Sequence, residues 1–259
     1  MPTALIVEDE PEANRLLGML VQLKGYRAES AYTGAEALAI ARRQPPDIIF
    51  LDLMLPDVSG HDVCRTLKAD RETDQVPVVM VTARLAPENR REGFRVGAEE
   101  YIAKPYLPDQ IFRAMAEAAS NRKQMDQGEL AGLITLDDAD PTTWRELSRL
   151  LTLARSITPL DPAVIDAARS LVDEAMVEAL PGHVTPTLAY HLDDDRLTLH
   201  LTADPAWVAS LRRPDSDRLD RICRPTPTFD QIAVDPVKGL LTLSCHRPAG
   251  RAQPPENTI

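Results

Sequence analysis

The first 122 residues alternate between short apolar runs and longer stretches of helical periodicity, and few architectures accept that alternation. The runs are Ala4–Val7, Arg27–Ala31, Asp47–Leu51, Pro77–Val81 and Glu100–Ala103. Several are β-branched and lack in–out alternation, as strands buried on both faces do. Between them, Pro11–Lys24 sets Leu16, Leu17, Leu20 and Leu23 on one stripe. Thr33–Arg43 carries Ala37, Leu38 and Ile40, with Thr33 and Glu36 at capping-box spacing. Gly60–Lys68 carries Val63, Cys64 and Leu67, and Pro108–Arg122 carries Ile111, Phe112, Met115 and Ala119. About five strand–helix units in about 120 residues predict a doubly wound domain, a five-stranded parallel sheet with helices on both faces.

Beyond it the pattern changes. Residues 123–132, with Gly128 and Gly132, read as a linker, and residues 133–250 as a second, α+β domain. Asp140-Pro141 and Asp161-Pro162 each set a capping Asp before a Pro at the first helical position. The first helix would bury Trp144, Leu147, Leu151, Ala154 and Ile157, the second Val164, Ala168, Leu171, Val172, Ala175 and Met176. Thr187–Leu192 and Arg196–Thr202 predict a hairpin, and Phe229–Val234 with Leu240–His246 a second, turning through Gly239. Pro205–Pro227 is rich in Pro, Arg and Asp, with a short helix expected near Ser216–Cys223. Two helices and two hairpins suggest an α/β sandwich, followed by a flexible tail over 251–259.

In open parallel sheets, ligands bind outside the carboxyl ends of the strands. Those ends, read in order, are Glu8-Asp9, Asp52 within IIFLDLMLPDVSG, Thr82 within VVMVTA, and Lys104-Pro105 within EEYIAKPY. Three crowded carboxylates repel one another, and Mg²⁺, a hard cation with a preference for oxygen, relieves the repulsion. A carboxylate can be the nucleophile that takes a phosphoryl group. A cation and a Lys neutralise its charge, and a Thr hydroxyl can donate to its oxygens. Each residue alone says little; their occurrence together at consecutive strand ends points to phosphoryl chemistry.

With these residues in place, 3–121 resembles the flavodoxin-like receiver domain of two-component response regulators. LDLMLP, which ends in Pro56, with Gly60 following, resembles that family's phosphorylation loop. The resemblance implies Asp52 as phospho-acceptor and Mg²⁺ as cofactor. It implies Asp9 as a direct metal ligand, Glu8 as an acid acting mainly through water, and the Met54 backbone carbonyl as a further ligand. Thr82 and Lys104 would contact the phosphoryl group, Tyr101 would be the switch aromatic, and Pro105 would follow a cis peptide bond. Met54 and Arg84 would flank the site and tune phosphate lifetime. Glu8 departs from the family's usual Asp. The implied donor is a histidine kinase or phosphotransfer protein. Phosphorylation would reshape the face of the fourth helix, fifth strand and fifth helix.

The charge bears on the output. The chain has 40 Asp and Glu against 29 Lys and Arg, a net of −11. From Lys123 onward, 14 basic residues face 21 acidic ones, a net of −7. A DNA-binding surface needs a basic footprint. The one basic cluster, Arg212, Arg213, Arg218, Arg221 and Arg224, is interleaved with Asp215, Asp217 and Asp220 and reads as a solvated, salt-bridged segment. The expected output is therefore a protein-interaction or degenerate ATPase-like module. The alternative is a phosphorylation-dependent, DNA-binding transcriptional regulator. The second half is distantly similar to the GHKL-type ATPase domains of histidine kinases, with AARSLVDEAMVEAL at the metal-binding helix. It departs from them where Val177-Glu178 replace the expected Asn. Gly182 and Gly239 are the sole glycines from 133 to 249, so Gly-rich phosphate loops are lacking. A divergent histidine-phosphotransfer dimer is a further reading. His183, His191, His200 and His246 read as surface histidines rather than a zinc site, and no separate enzymatic output is read.

No apolar run nears the roughly 18–20 residues of a membrane span. The start MPTALIVEDE lacks the features of a signal peptide. Cys64, Cys223 and Cys245 are odd in number without CxxC spacing. These traits predict a cytoplasmic protein with no membrane partner, a downstream protein partner, and a surface compatible with homodimerisation.

Overall fold

The structure, a computed structural model, describes residues 1–83, 86–125, 130–137, 140–157, 162–178, 185–193, 196–211 and 229–246. The first sheet comprises β1 (Thr3–Val7), β2 (Arg27–Ala31), β3 (Ile48–Leu51), β4 (Val78–Thr82) and β5 (Glu100–Ala103). Its strands are parallel, in the order β2-β1-β3-β4-β5. The helices are α1 (Pro11–Leu23), α2 (Gly34–Arg43), α3 (Gly60–Ala69), α4 (Pro87–Arg95) and α5 (Pro108–Met125). Alternate residues of each strand feed opposite sides, because side chains alternate across a sheet. Leu5, Val7, Ile49 and Leu51 fill one core with Val63, Cys64 and Leu67 of α3. Ala4, Ile6, Ile48 and Phe50 fill the other with Leu17 and Val21 of α1 and Ile111 and Met115 of α5. Leu16 and Leu23 of the α1 stripe are exposed; Leu17 and Val21 make the contact instead. The Thr33 hydroxyl accepts from the Glu36 amide at 3.1 Å, and Glu36 returns the bond to the Tyr32 amide.

Helix α4 has no counterpart in the periodicity reading. PENRREGFR carries one large apolar residue, Phe94, and so presents no stripe.

The second sheet is antiparallel, in the order β6-β7-β8-β10-β9. Its strands are β6 (Leu130–Thr135), β7 (Thr187–Leu192), β8 (Arg196–Thr202), β9 (Gln231–Asp235) and β10 (Leu240–His246). The two hairpins join through β8 and β10 into one sheet. Three features differ from the sequence reading. The linker expected at 123–132 is narrower: α5 runs to Met125 and β6 begins at Leu130. Gly132 hid this strand, yet it is there because it pairs with Tyr190. A Cβ at Gly132 would lie 2.6 Å from the Tyr190 hydroxyl, so the ring covers the glycine. A short helix, α8 (Pro205–Ser210), follows Asp204, whose carboxylate accepts from the Ala206 and Trp207 amides at 2.8 and 3.2 Å.

The third difference concerns the paired helices, α6 (Pro141–Ile157) and α7 (Pro162–Glu178). The chain forms two compact units. One comprises Met1–Gln127 with Asp137–Ser156, the other Gly128–Leu136 with the residues from Ile157 onward. Helix α6 therefore belongs with the first sheet and α7 with the second. Helix α7 buries Val164, Ile165, Ala168, Leu171, Val172, Ala175 and Met176. The sandwich of two helices on two hairpins is in this respect corrected. A helix's apolar positions say that it buries a face, not against what. The expected helix near 216–223, the basic cluster from Arg212 to Arg224, Arg84, His183, Cys223 and the tail lie outside the described residues.

Candidate functional site

Register brings the site together. Val7 of β1 aligns with Leu51 of β3, and Thr82 of β4 with Ala103 of β5. The residues that follow, Glu8-Asp9, Asp52 and Lys104, thus emerge at the same edge as Thr82. One carboxylate oxygen from each of Glu8, Asp9 and Asp52 lies within 4.8 Å of the other two. Glu8 and Asp52 are buried and Asp9 is exposed, so the cluster opens to solvent on the Asp9 side. Among the described residues this is the one group of three or more such ligands.

The Lys104 ammonium donates to Glu8 and, at 2.5 Å, to Asp52 Oδ2. The Met54 amide donates to Asp52 Oδ1 at 3.1 Å, so each Asp52 oxygen has one donor. Burial pulls Lys104 toward neutrality, but its hydrogen bonds to Asp52 and Glu8 outweigh that and hold its pKa above the usual value. Burial raises the Glu8 carboxyl above its ordinary range against the opposing pull of Lys104, and the nearby Asp52 adds to the rise. Two buried acids and one exposed acid with inward-facing oxygens suit a hard divalent cation, which would share the work of Lys104.

Thr82 is fully buried, and its carbonyl accepts from the Lys104 amide at 2.9 Å. The Lys104–Pro105 peptide is cis. Tyr101 is half-buried, aligned with Met80 of β4 and packed beside Gly93. The Met54 side chain is about half exposed at the rim.

Three supporting residues escaped the sequence reading. Asn14, buried in α1, donates to the carbonyls of Ile6, Glu8 and Ala31, which fixes the turn that presents Glu8 and Asp9. Asp57 accepts from the Gly34 and Ala35 amides, both at 2.9 Å, and pins the loop after Asp52 to the start of α2. Those two bonds hold its carboxyl below the usual range. Gly60 donates to the Leu53 carbonyl at 3.0 Å and closes the loop. No local signal marks the first two, because their partners are distant in sequence. Gly60 stands in the motif, but its packing does not show there.

His191 and His200 share a face of the second sheet without being directly paired: His191 faces Thr198, and His200 faces Ala189. His200 Nδ1 lies 3.0 Å from Thr242 Oγ1, and His191 Nε2 lies 3.5 Å from Asp193. No described helix is long and apolar enough to cross a membrane.

Lys104→Met tests the electrostatics. Without Mg²⁺, the loss of the cation between two buried acids is expected to cost about 2 kcal/mol in urea unfolding, as leaving hydrogen-bonding groups without their partner does. Millimolar Mg²⁺ is expected to restore part of that loss. An unchanged midpoint, or no response to Mg²⁺, would contradict this account of the cluster.

The response regulator receiver domain family matches residues 4–116. The chain is 34% identical over 140 residues to the DNA-binding dual master transcriptional regulator RpaA of a Synechocystis species, covering 50% of this chain and 58% of that protein. It is 31% identical over 219 residues to the transcriptional regulatory protein BaeR of Escherichia coli O6:H1, covering 82% of this chain and 83% of that one. The chemotaxis response regulator CheY4 of Vibrio cholerae superposes with a TM-score of 0.44 and 28% identity, over 46% of this chain and 98% of its own.

Proposed function

The chain belongs to the response regulators of two-component systems, and from that premise we propose that it is a phosphorylation-controlled regulator with Asp52 as the phospho-acceptor. The convergence of Glu8, Asp9, Asp52 and Lys104 at one sheet edge carries this reading. The donor is a histidine kinase or phosphotransfer protein presenting phosphohistidine, and the setting is the cytoplasm. An Asp52 oxygen attacks phosphorus, the P–N bond breaks with its electron pair going to the ring, the imidazole leaves neutral because its other nitrogen already carries a proton, and an aspartyl phosphate remains. The Met54 amide and the Lys104 ammonium orient the carboxylate beforehand, so little reorganisation is needed. Lys104 then stays beside the new phosphoryl oxygens, and Thr82, at the neighbouring strand end, supplies a hydroxyl to them. Mg²⁺ held by Asp9, Asp52 and the Met54 carbonyl, with Glu8 acting through water, would neutralise the transferring charge.

For the output, the relatives favour transcriptional control through DNA. RpaA and BaeR are named as transcriptional regulators, and the BaeR match runs well beyond the receiver. The acidic balance of −7 after Lys123 supports a second reading, a protein-interaction module. Gel shift with the full chain, with and without acetyl phosphate and Mg²⁺, separates the two. Salt-sensitive, sequence-selective binding that strengthens on phosphorylation is the outcome expected of the transcriptional reading. No binding in either state would sink it in favour of the interaction module.

A further inference from the structure

The turn that carries Glu8 and Asp9 joins β1 to α1, and it has little capping of its own. Glu10, the residue before α1, makes no capping side-chain bond, and the helix opens on Pro11. Asp9 is exposed, so its carboxylate stands where the backbone of the turn puts it. Asn14 reaches that backbone from the first turn of the helix, and it is only 1% exposed. Its amide nitrogen lies 3.1 Å from the Glu8 carbonyl, 3.2 Å from that of Ala31 and 3.4 Å from that of Ile6. The Glu8 amide donates to the same Ala31 carbonyl at 3.1 Å. One side-chain amide thus ties the carboxyl end of β1 to that of β2. Its other half gains nothing: Asn14 Oδ1 is buried without a hydrogen-bond partner among the described residues. Turning the amide over would set that oxygen against carbonyl oxygens, so the donors fix its orientation. A buried acceptor without a partner costs stability; it is tolerated here for the donors on the same group.

We propose that Asn14 is the positioning residue of the acidic turn, and that its side-chain amide sets the affinity of the Glu8–Asp9–Asp52 cluster for a divalent cation. The proposal rests on the reading of that cluster as a Mg²⁺ site. Mg²⁺ demands near-ideal octahedral geometry, so a displaced carboxylate loses much of its value as a ligand. Asp52 is placed by the Met54 amide and Lys104, and Glu8 by Lys104. Asp9 depends on the backbone of its turn instead. The carbonyl of Glu8 belongs to the peptide that joins Glu8 to Asp9, and Asn14 holds that carbonyl. The bond to Ala31 anchors the same peptide to the end of β2. Without these donors the peptide plane can rotate, and the Asp9 carboxylate leaves the position that faces Glu8 and Asp52. Groups that orient metal ligands without touching the metal are ordinarily worth about 10- to 100-fold in affinity. Asn14 acts through the turn and touches no reacting atom. Its effect therefore falls on metal affinity and not on the transfer step at saturating Mg²⁺.

Two measurements on the full chain separate positioning from structure. Calorimetric titration with MgCl₂ reads metal affinity, and urea unfolding without Mg²⁺ reads stability. Asn14→Leu keeps nearly the size of Asn and has no donor. Its Mg²⁺ affinity is expected to fall about 10- to 100-fold. Phosphoryl uptake from acetyl phosphate is expected to need correspondingly more Mg²⁺ and to approach the wild-type rate once Mg²⁺ saturates. Asn14→Ser keeps a polar group that is too short to reach the carbonyls. It is expected to weaken Mg²⁺ binding in the same direction, and it carries the test where Leu unfolds the chain. Lys68→Met is the control. Lys68 is a buried side chain that also bonds to carbonyls, those of Asp74 and Val76 at 3.1 and 2.8 Å, outside the acidic cluster. This variant is expected to lose stability with its Mg²⁺ affinity unchanged. Asn14 variants that lose stability yet bind Mg²⁺ as tightly as wild type would overturn the proposal. Equal weakening of Mg²⁺ binding in Lys68→Met would overturn it as well, since affinity would then follow stability alone. A wild-type chain that takes up no Mg²⁺ would overturn the metal reading of the cluster itself.

Discussion

Asp52→Ala is expected to lower phosphoryl uptake from acetyl phosphate with Mg²⁺ by about 100-fold or more, as removal of a nucleophile does. The geometry leaves no ready substitute. Glu8 is the other buried carboxylate of the cluster, but burial shifts its carboxyl toward the protonated form, which is the poorer nucleophile. Asp9 is exposed, at the outer side of the cluster. Radiolabel incorporation into wild type and variant, followed by mass mapping of the labelled peptide, checks the expectation. Uptake by the variant at the wild-type level would remove Asp52 from its proposed role, whatever the family membership of the chain. Asp52→Asn is expected to lose uptake equally while keeping the backbone bond from the Met54 amide, which separates lost chemistry from lost structure.

Gly60→Ala is expected to cost about 3 kcal/mol, the upper end of what overpacking does. An added Cβ would lie 2.2 Å from the Asp52 carbonyl oxygen and 2.8 Å from Leu53 Cα, both of them backbone atoms that cannot step aside. The Gly60 amide bond to Leu53 would stretch, and the Asp52 loop would open with it. Urea unfolding checks the stability loss, and phosphoryl uptake is expected to fall in the same variant. Gly25→Ala is the internal control. Its φ of +78° strains any other residue, yet no heavy atom lies within 4 Å of the added carbon. Its cost is expected to be about 1 kcal/mol, with uptake unaffected. Equal losses at the two positions would mean that close packing at Gly60 does not hold the loop.

Much of the site was readable because parallel sheets obey a simple geometric rule. Strands that run the same way deliver their carboxyl ends to one edge, so Glu8, Asp9, Asp52, Thr82 and Lys104 could be assembled from their order alone. The supporting residues were not readable in the same way. Asn14 is an ordinary polar residue in an amphipathic helix until the carbonyls of Ile6, Glu8 and Ala31 are seen around it. Asp57 looks like a turn residue until its carboxylate is seen to cap the start of α2. The second half divides similarly. The strands of both hairpins show in their alternation, β8 most clearly, where Leu197, Leu199 and Leu201 are buried between exposed or half-buried neighbours. Strand β6 was masked by Gly132, and the Asp204-Pro205 start of α8 by the charged, proline-rich sequence around it.

Local sequence determined most of the first sheet's strands and helices, the strands of both hairpins, the order of the first sheet's chemistry and the sign of the charge, because each depends on residues close in the chain or on one fixed rule of sheet geometry. Only the tertiary structure decided where α6 lies and what Lys104 holds. Lys104 meets partners 52 and 96 residues away. The apolar residues of α6 would serve against either sheet, and the choice rests on the fit of Trp144 to Phe94 and of Arg145 between Glu100 and Glu117. Such choices depend on shape and charge brought together by the whole fold, and no local pattern encodes them.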